Sequence, residues 1–249
     1  MRRIFVVGCP RSGTTLLQSF LAAHPQVHSF PETHFFHRLQ APRRGRRATG
    51  LAATGTAGRL DEVAGRLGAP RRPVLPTVRR SGAAFVAMAD AAARRNGADT
   101  WVEKTPANLY VLDLIERVVP GAQVVHIVRD GVDVVASLCA VAGGWGTTYT
   151  VDTAIDQWAE CIALTDRYRD RSRHSVVGYD SLVRDPEAAL AALCVELGLP
   201  YTGEMVTGRA AAAGGLVEDF EHWKAENTGP LRDGAGRRAR EVFDAATLR

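Results

Sequence analysis

The amino-acid sequence predicts an α/β fold, in which a single domain is built on an open, P-loop-like parallel β-sheet flanked by helices. Short apolar runs alternate with segments of helical apolar spacing along most of the 249 residues, which is the pattern of parallel strands joined by right-handed crossovers. Residues 122–128 form a near-continuous apolar run, as expected for a central strand that is buried on both faces. Because the sequence has no internal repeat and no interdomain linker, we expect residues 1–249 to form one domain.

The first predicted strand, residues 4–7, leads through a glycine turn into the first predicted helix. Gly8 and Gly13 are separated by four residues, which is the frame of a nucleotide phosphate loop, but Thr14 stands where an NTPase has its lysine. Arg11 is the only long cation in this turn. A strand, a tight turn and a helix present backbone N–H groups and the positive end of a helix dipole to an anion. We therefore expect a phosphate cradle that differs from that of an NTPase.

The remaining elements follow in order along the chain. Apolar runs predict strands at residues 27–30, 100–103, 122–128 and 175–179. Helical spacing predicts helices at residues 81–95, from Pro106 onwards, and at 132–139, 150–170, 186–197 and about 237–246. In the helix at residues 150–170, we expect Ile155, Trp158 and Ile162 to point inward.

Residues 42–80 form an arginine-rich segment, which we expect to be an insertion or cap near the mouth of the acceptor site. The spacing of its apolar residues predicts one short helix, with Leu60, Val63, Ala64 and Leu67 on one face. The arginines of this segment are either solvated surface residues or a basic rim that selects an anionic acceptor.

The composition limits the partners and the location of the protein. A net charge of +4 is a mild basic excess, and no basic helix, zinc pattern or aromatic-basic motif predicts binding to nucleic acid. The four cysteines are widely spaced and form no CxxC motif, which favours free thiols in a reducing compartment over disulfides or a metal site. The sequence has no secretory signal and no run of ~20 apolar residues. We therefore expect a cytoplasmic protein without stable membrane insertion.

Glu32 is the first candidate for acid–base chemistry. It follows the second predicted strand and precedes the aromatic pair Phe35 and Phe36. Partial desolvation there would raise the pKa of its carboxyl group above ~4.3, which suits a general base. The alternative is a glutamate at a helix N-terminus, which the helix dipole would favour.

Three long cations, Arg11, Lys104 and Arg129, each follow a predicted strand. Ligands of open α/β sheets bind at the carboxyl ends of the strands, so these cations converge on one crevice if the strands are neighbours. Arg129 and Ser137 are eight residues apart, on the same side of one predicted helix, and a monophosphate would bridge them. Two anion sites in one crevice predict a nucleotide with phosphates at two positions.

These two motifs resemble those of the sulfotransferase family. The loop from Gly8 to Thr15 resembles the family's 5′-phosphosulfate loop, and the stretch from Val128 through Arg129 to Ser137 resembles its 3′-phosphate motif. The resemblance covers roughly residues 4–200 and is nearer to the bacterial and Golgi-type branches than to the cytosolic branch. It implies the donor 3′-phosphoadenosine 5′-phosphosulfate (PAPS), the product 3′-phosphoadenosine 5′-phosphate (PAP), a hydroxyl or amine acceptor, and no metal.

The resemblance also implies roles for residues that bind the donor. The 5′-phosphosulfate would be held by Arg11, Ser12, Gly13, Thr14 and Thr15. The 3′-phosphate would be held by Arg129 and Ser137, and Tyr179 would lie beside the nucleotide. A C-terminal element closes over the nucleotide in this family, and the candidates for it are His222, Trp223 and Lys224 or Arg237 and Arg238. Trp158 is either a core residue or a neighbour of the adenine.

The catalytic residues follow from the same resemblance. Glu32 resembles the glutamate base of the tyrosylprotein and heparan N-sulfotransferase branches, and Lys104 matches the lysine of the family's Lys-Thr/Asp-Pro element. The cytosolic branch has its histidine base two residues after that lysine, where this chain has Pro106. The base is therefore expected to be Glu32, with His34 and Glu103 as alternatives, while Arg11 and Lys104 stabilise the transferring and leaving groups.

Two other functions remain open at this point. A small-molecule kinase would need the missing loop lysine and a carboxylate for Mg²⁺, for which Asp130 is a weak candidate. A non-catalytic nucleotide-binding protein is the other alternative. Within the sulfotransferase interpretation, the sequence does not distinguish a small-molecule, carbohydrate, lipid or peptide acceptor, and it does not predict the oligomeric state.

Overall fold

A computed structural model describes residues 1–40, 50–70, 73, 75–140, 148–216 and 236–243. The strands are β1 (Arg2–Gly8), β2 (Val27–Ser29), β3 (Thr100–Lys104), β4 (Ala122–Val128) and β5 (His174–Gly178). The helices are α1 (Thr14–Ala22), α2 (Thr56–Arg66), α3 (Val78–Arg95), α4 (Leu112–Val118), α5 (Gly131–Ala140), α6 (Val151–Tyr168), α7 (Tyr179–Arg184), α8 (Pro186–Leu197), α9 (Glu204–Thr207), α10 (Arg209–Gly214) and α11 (Arg237–Val242). A 3-10 helix at Pro106–Val111 precedes α4.

The five strands form one parallel sheet in the order β2-β3-β1-β4-β5. β1 lies at the centre, where Val6 pairs with Lys104 of β3 on one side and with Val125 of β4 on the other. From β1 the chain passes to the edge strand β2, returns to β3 beside β1, and then crosses to β4 and β5 on the other side. The crevice at the carboxyl edge beside β1 is therefore the expected ligand site. The predicted open parallel sheet flanked by helices is confirmed.

The side chains of β1 alternate between two cores, since successive strand residues point to opposite faces of a sheet. Ile4 and Val6 pack with α1 and α8 on one face. Phe5 enters an aromatic core on the other face, where its ring lies 5.3 Å from that of Phe36 in an edge-to-face contact. The ring of Phe36 in turn lies 4.7 Å from that of Phe85 in α3. This core fixes the chain immediately after Glu32.

The expected inward face of the long helix was partly wrong. α6 matches the helix predicted at residues 150–170, and Thr150 caps it by accepting from the Thr153 amide. Ile155, however, is 45% exposed. The buried stripe of α6 contains Ala154, Cys161 and Thr165, because small side chains at this spacing allow the helix to pack closely against its neighbours.

The described part of residues 42–80 packs on the main core. α2 confirms the predicted short helix, and its Leu60 and Val63 are buried in the same core as Phe35 and Phe36. Six arginines of this segment lie outside the described residues, namely Arg43, Arg44, Arg46, Arg47, Arg71 and Arg72. A role for the segment as a cap stays a prediction. Within the described ranges, no helix has both the length and the apolarity that crossing a membrane requires.

Candidate functional site

The predicted phosphate loop, residues 8–15, packs closely against β4 at Gly8 and against Tyr179 at Gly13. A Cβ atom on Gly8 would lie 2.6 Å from the carbonyl oxygen of Ile127. Gly13 has a left-handed φ of +94°, and a Cβ atom there would lie 2.4 Å from the Tyr179 ring. Both glycines are therefore required by close approach, and Gly13 also by its backbone conformation. α1 begins at Thr14, directly after this turn, so its free amides face the carboxyl edge of the sheet.

Arg11 reaches from this loop to the second predicted anion site. Its backbone is left-handed, with φ +72°, and its Nε donates to Ser137 Oγ at 2.9 Å. The sequence assigned Arg11 and Ser137 to different phosphates of the nucleotide. The contact joins the two predicted anion sites into one continuous polar surface.

Arg129 lies on the far side of this surface. Its guanidinium stacks 4.3 Å above the Tyr179 ring and donates through Nη2 to Asp133 Oδ2 at 3.1 Å. Its Nε atom is buried and, within the described ranges, has no hydrogen-bond partner. Trp158 supports the turn that carries Arg129, since its Nε1 donates to the Arg129 carbonyl at 3.2 Å. Trp158 is thus a partly buried support of Arg129, and Asp133 is a neighbour that the sequence analysis missed.

Lys104 connects the phosphate loop with Glu32. Its side chain is 1% exposed, and Nζ donates both to Thr15 Oγ1, at 3.1 Å, and to Glu32 Oε1. Because β3, β1 and β4 are neighbours in the sheet, the predicted convergence of the three cations on one edge is confirmed. A buried ammonium group needs such charged or polar partners to offset its desolvation.

Glu32 sits at the mouth of the crevice, in a segment without helical structure. The alternative of a helix N-terminal glutamate is therefore wrong. Its side chain is 13% exposed, and His34 Nε2 lies 3.5 Å from its other carboxylate oxygen. The backbone carbonyl of Glu32 accepts from Arg66 Nη1 at 2.7 Å. The pKa of nearby His37 is lowered to about 4, mainly by burial and also by the positive charge of His34.

Glu103, the other carboxylate considered as a base, is fully buried. Its oxygens accept from Thr33 Oγ1 at 2.7 Å, Thr105 Oγ1 at 2.6 Å and Asn108 Nδ2 at 2.6 Å. Burial raises the pKa of Glu103, and the two threonine hydroxyls oppose that rise. Thr33 adjoins Glu32, and Thr105 adjoins Lys104. The geometry therefore favours a role for Glu103 in fixing the positions of these two predicted catalytic residues, rather than a role as the base that contacts an acceptor.

The rest of the predicted site can be placed only in part. His222, Trp223 and Lys224 lie outside the described residues, as do the side chains of Arg237 and Arg238. The backbone of α11 is described, and this helix packs against α5. In the ranges that the structure covers, no group of three or more His, Cys, Asp or Glu side chains is arranged to hold a metal ion.

The two phosphate motifs lie in a span of the chain that matches a known family. The family described as "Sulfotransferase family" matches residues 3–203, which include all of the five-stranded sheet except Arg2. The chain belongs to the sulfotransferase family. The matched span also contains every described residue of the crevice except those of α11.

Relatives of this sulfotransferase family member differ in length and source. "Nodulation protein NoeE" of Sinorhizobium fredii is 27% identical over an alignment of 260 positions, which covers 92% of this chain and 55% of that protein. "Protein-tyrosine sulfotransferase 2" of Gallus gallus is 28% identical over 212 residues, which cover 81% of this chain and 52% of that protein. The chain therefore spans about half the length of the curated relatives it matches.

Solved structures share the fold of this sulfotransferase family member. The "Sulfotransferase Domain from the Curacin Biosynthetic Pathway" has a TM-score of 0.56 at 19% identity, covering 98% of this chain and 96% of that one. The mouse sulfotransferase SULT7A1 complexed with PAP has a TM-score of 0.58 at 12% identity, covering 99% of this chain and 80% of that one. At these identities the likeness concerns the fold.

Proposed function

We propose that this protein transfers a sulfuryl group from PAPS to a hydroxyl group, with an amine as the second choice of acceptor. The observation that carries the proposal is the position of Lys104, whose ammonium group contacts both Thr15 of the phosphate loop and the carboxylate of Glu32. A donor cradle and a candidate base thus meet at one buried cation. Membership of the sulfotransferase family supports the same reaction class.

The donor would bind along the continuous polar surface. The amides and hydroxyls of residues 12–15, together with Arg11, would hold the 5′-phosphosulfate at the N-terminus of α1. Arg129 and Ser137 would hold the 3′-phosphate, and the buried Nε of Arg129, which has no partner among the described residues, is a donor suited to it. Tyr179 would lie beside the nucleotide. The PAP complex of the mouse sulfotransferase, which shares this fold, supports the choice of nucleotide.

Transfer would proceed by in-line displacement. Glu32 would take the proton of the acceptor hydroxyl as the acceptor oxygen bonds to sulfur. The bond between sulfur and the 5′-phosphate oxygen breaks, and its electron pair stays on the phosphate of PAP. Lys104 and the loop amides would stabilise the charge that develops on that oxygen, and Arg11 the charge on the peripheral sulfuryl oxygens.

The acceptor is proposed to be a small molecule, a carbohydrate or a lipid. The guanidinium of Arg66 and the imidazole of His34 lie beside Glu32, so the mouth of the crevice is suited to an acceptor that carries negative charge. Since three relatives are named protein-tyrosine sulfotransferases, a tyrosyl peptide belongs in the screen. A cytoplasmic location stays a prediction.

Nucleotide binding and sulfate transfer test the proposal together. We expect PAP to raise the melting temperature of the protein and ATP with Mg²⁺ to leave it unchanged. Radiolabelled PAPS is then incubated with a phenol, a monosaccharide, a long-chain alcohol and a tyrosine-containing peptide. Stabilisation by ATP with Mg²⁺ alone would favour the kinase alternative, and binding of PAP without donor turnover would favour a non-catalytic protein.

A further inference from the structure

Asp133 is a buried carboxylate that the proposed reaction does not use. It lies in the first turn of α5, and its side chain is 2% exposed. Both of its oxygens are engaged, but by groups from different parts of the chain. Oδ2 accepts from Arg129 Nη2 at 3.1 Å and from the Gly236 amide at 3.2 Å, and Oδ1 accepts from the Ala239 amide at 3.2 Å.

The contacts to Gly236 and Ala239 make Asp133 the N-terminal cap of α11. Gly236 precedes the helix with a left-handed φ of +71° and supplies no side chain of its own for capping. A carboxylate at this position satisfies two of the amides that a helix leaves unpaired and is favoured by the helix dipole. The cap comes from a residue 103 positions earlier in the sequence, so α11 is attached to α5 by this side chain.

The contact to Arg129 orients the guanidinium in the proposed 3′-phosphate site. Asp133 holds Nη2 on one side, and the Tyr179 ring covers the guanidinium face at 4.3 Å. The Nε atom is left buried without a partner in the described part of the chain. An arginine has five N–H donors in a fixed fork, so fixing one end determines where the others point.

We propose that Asp133 is a positioning residue that links recognition of the 3′-phosphate to the docking of α11. The inference rests on the proposed function, because it takes Arg129 as the residue that binds the 3′-phosphate. Because the Asp133 carboxylate binds both Arg129 and the N-terminus of α11, a change in one contact is expected to alter the other. Linkage is reciprocal: if docked α11 strengthens binding of the 3′-phosphate, the 3′-phosphate strengthens docking by the same factor.

The test compares two nucleotides that differ only in the 3′-phosphate, namely PAP and adenosine 5′-monophosphate (AMP). Calorimetric titration measures both affinities in the wild type and in Asp133→Asn. We expect the affinity for PAP to fall about tenfold, the scale of a lost charged hydrogen bond, and the affinity for AMP to stay within about twofold. Unchanged AMP binding also reports that the variant is folded.

Asp130→Asn is the matched control. It removes the same charge three residues earlier, where Asp130 Oδ1 accepts from the Val132 and Asp133 amides. Asparagine is an equally good cap, so both affinities are expected to stay at wild-type values. Ala239→Pro probes the link from its other end, because proline in the first turn of a helix breaks no intrahelical hydrogen bond and here removes one of the two amides that donate to Asp133. This variant is expected to lower the affinity for PAP and not that for AMP.

Hydrogen–deuterium exchange of residues 236–243 supplies the second readout. We expect PAP to slow exchange there in the wild type, AMP to have no effect, and the difference to vanish in Asp133→Asn. Equal losses of PAP and AMP affinity, or equal protection by the two nucleotides, would overturn the role of Asp133 while leaving the donor assignment intact. A wild type that does not prefer PAP over AMP would overturn the donor assignment and this inference with it.

Discussion

The proposed donor side of the crevice, at β1, β4 and β5, and the proposed acceptor side, at β2 and β3, are constructed on different principles. The donor side is formed by two motifs that are each continuous in sequence, and one of them is the glycine turn that presents backbone amides. The acceptor side uses single side chains, and Glu32 and Lys104 are 72 residues apart. A buried carboxylate, Glu103, fixes their neighbours Thr33 and Thr105. An anion site formed by backbone amides can be recognised in the sequence by its glycines, whereas a network of side-chain hydrogen bonds has no such glycine pattern.

Lys104 contacts Thr15 on the proposed donor side and Glu32 on the proposed acceptor side, so its removal is expected to have the largest effect. Lys104→Met leaves Glu32 without its buried cation, and loss of one partner of such a pair costs about 3–5 kcal/mol. We expect lower PAP affinity, a loss of turnover of at least about 100-fold, and a lower melting temperature. Calorimetric titration, labelled-donor turnover and thermal unfolding measure the three effects. Retention of full turnover would break the proposed connection between the two sides.

Arg129→Ala is expected to affect the donor side alone. Because the guanidinium is the proposed partner of the 3′-phosphate, PAP affinity should fall by about 10- to 100-fold, and AMP affinity should change little. Turnover at saturating donor should remain. A matched substitution of an exposed arginine, Arg184→Ala in α7, should leave both affinities unchanged. Loss of turnover without loss of affinity would contradict the division into two sides.

Thr33→Val is expected to affect the acceptor side alone. Valine keeps the shape of threonine but cannot donate to Glu103, so the turn that carries Glu32 loses one of its fixed points. We expect kcat to fall about tenfold, the scale of a mispositioned catalytic group, with the KM for PAPS unchanged. Thr33→Ser should restore kcat, since it restores the hydroxyl. A change in the KM for PAPS instead of kcat would place Thr33 on the donor side.

The burial of His126 predicts a pH dependence of the stability of the protein, as distinct from a pH dependence of binding or turnover. It is fully buried in β4, and burial, together with the charge of His174, lowers its pKa to about 3. The neutral form is therefore favoured by folding. Its contribution to stability is present above the unfolded pKa of about 6.5 and is lost as pH falls toward 3. The free energy of unfolding from chemical denaturation should fall between pH 7 and pH 4, and the His126→Gln variant should show a fall that is smaller by about 3 kcal/mol. An identical pH dependence in the variant would contradict this assignment.

The sequence was sufficient for the features that depend on local pattern. The parallel sheet, the glycine turn with Arg11, and the position of Arg129 at the same edge of the sheet follow from apolar runs, glycine spacing and the position of each strand end. Long-range contacts were not accessible in this way. Nothing local to Asp133 indicates that it caps a helix more than a hundred residues later. Likewise, the sequence left Glu103 as a possible base, because its burial and its hydrogen bonds to Thr33 depend on how β3 packs against the turn after β2.

The most direct test of the account is the effect of Glu32→Gln on donor binding and on turnover. The substitution keeps the size of the side chain and an oxygen for Lys104, but it removes the proposed base. We expect PAP affinity within about threefold of the wild type and a fall in labelled sulfate transfer of about 10²- to 10⁴-fold. Glu62→Gln, on the exposed face of α2, should change neither quantity. Sulfate transfer by Glu32→Gln at the wild-type rate would contradict the account.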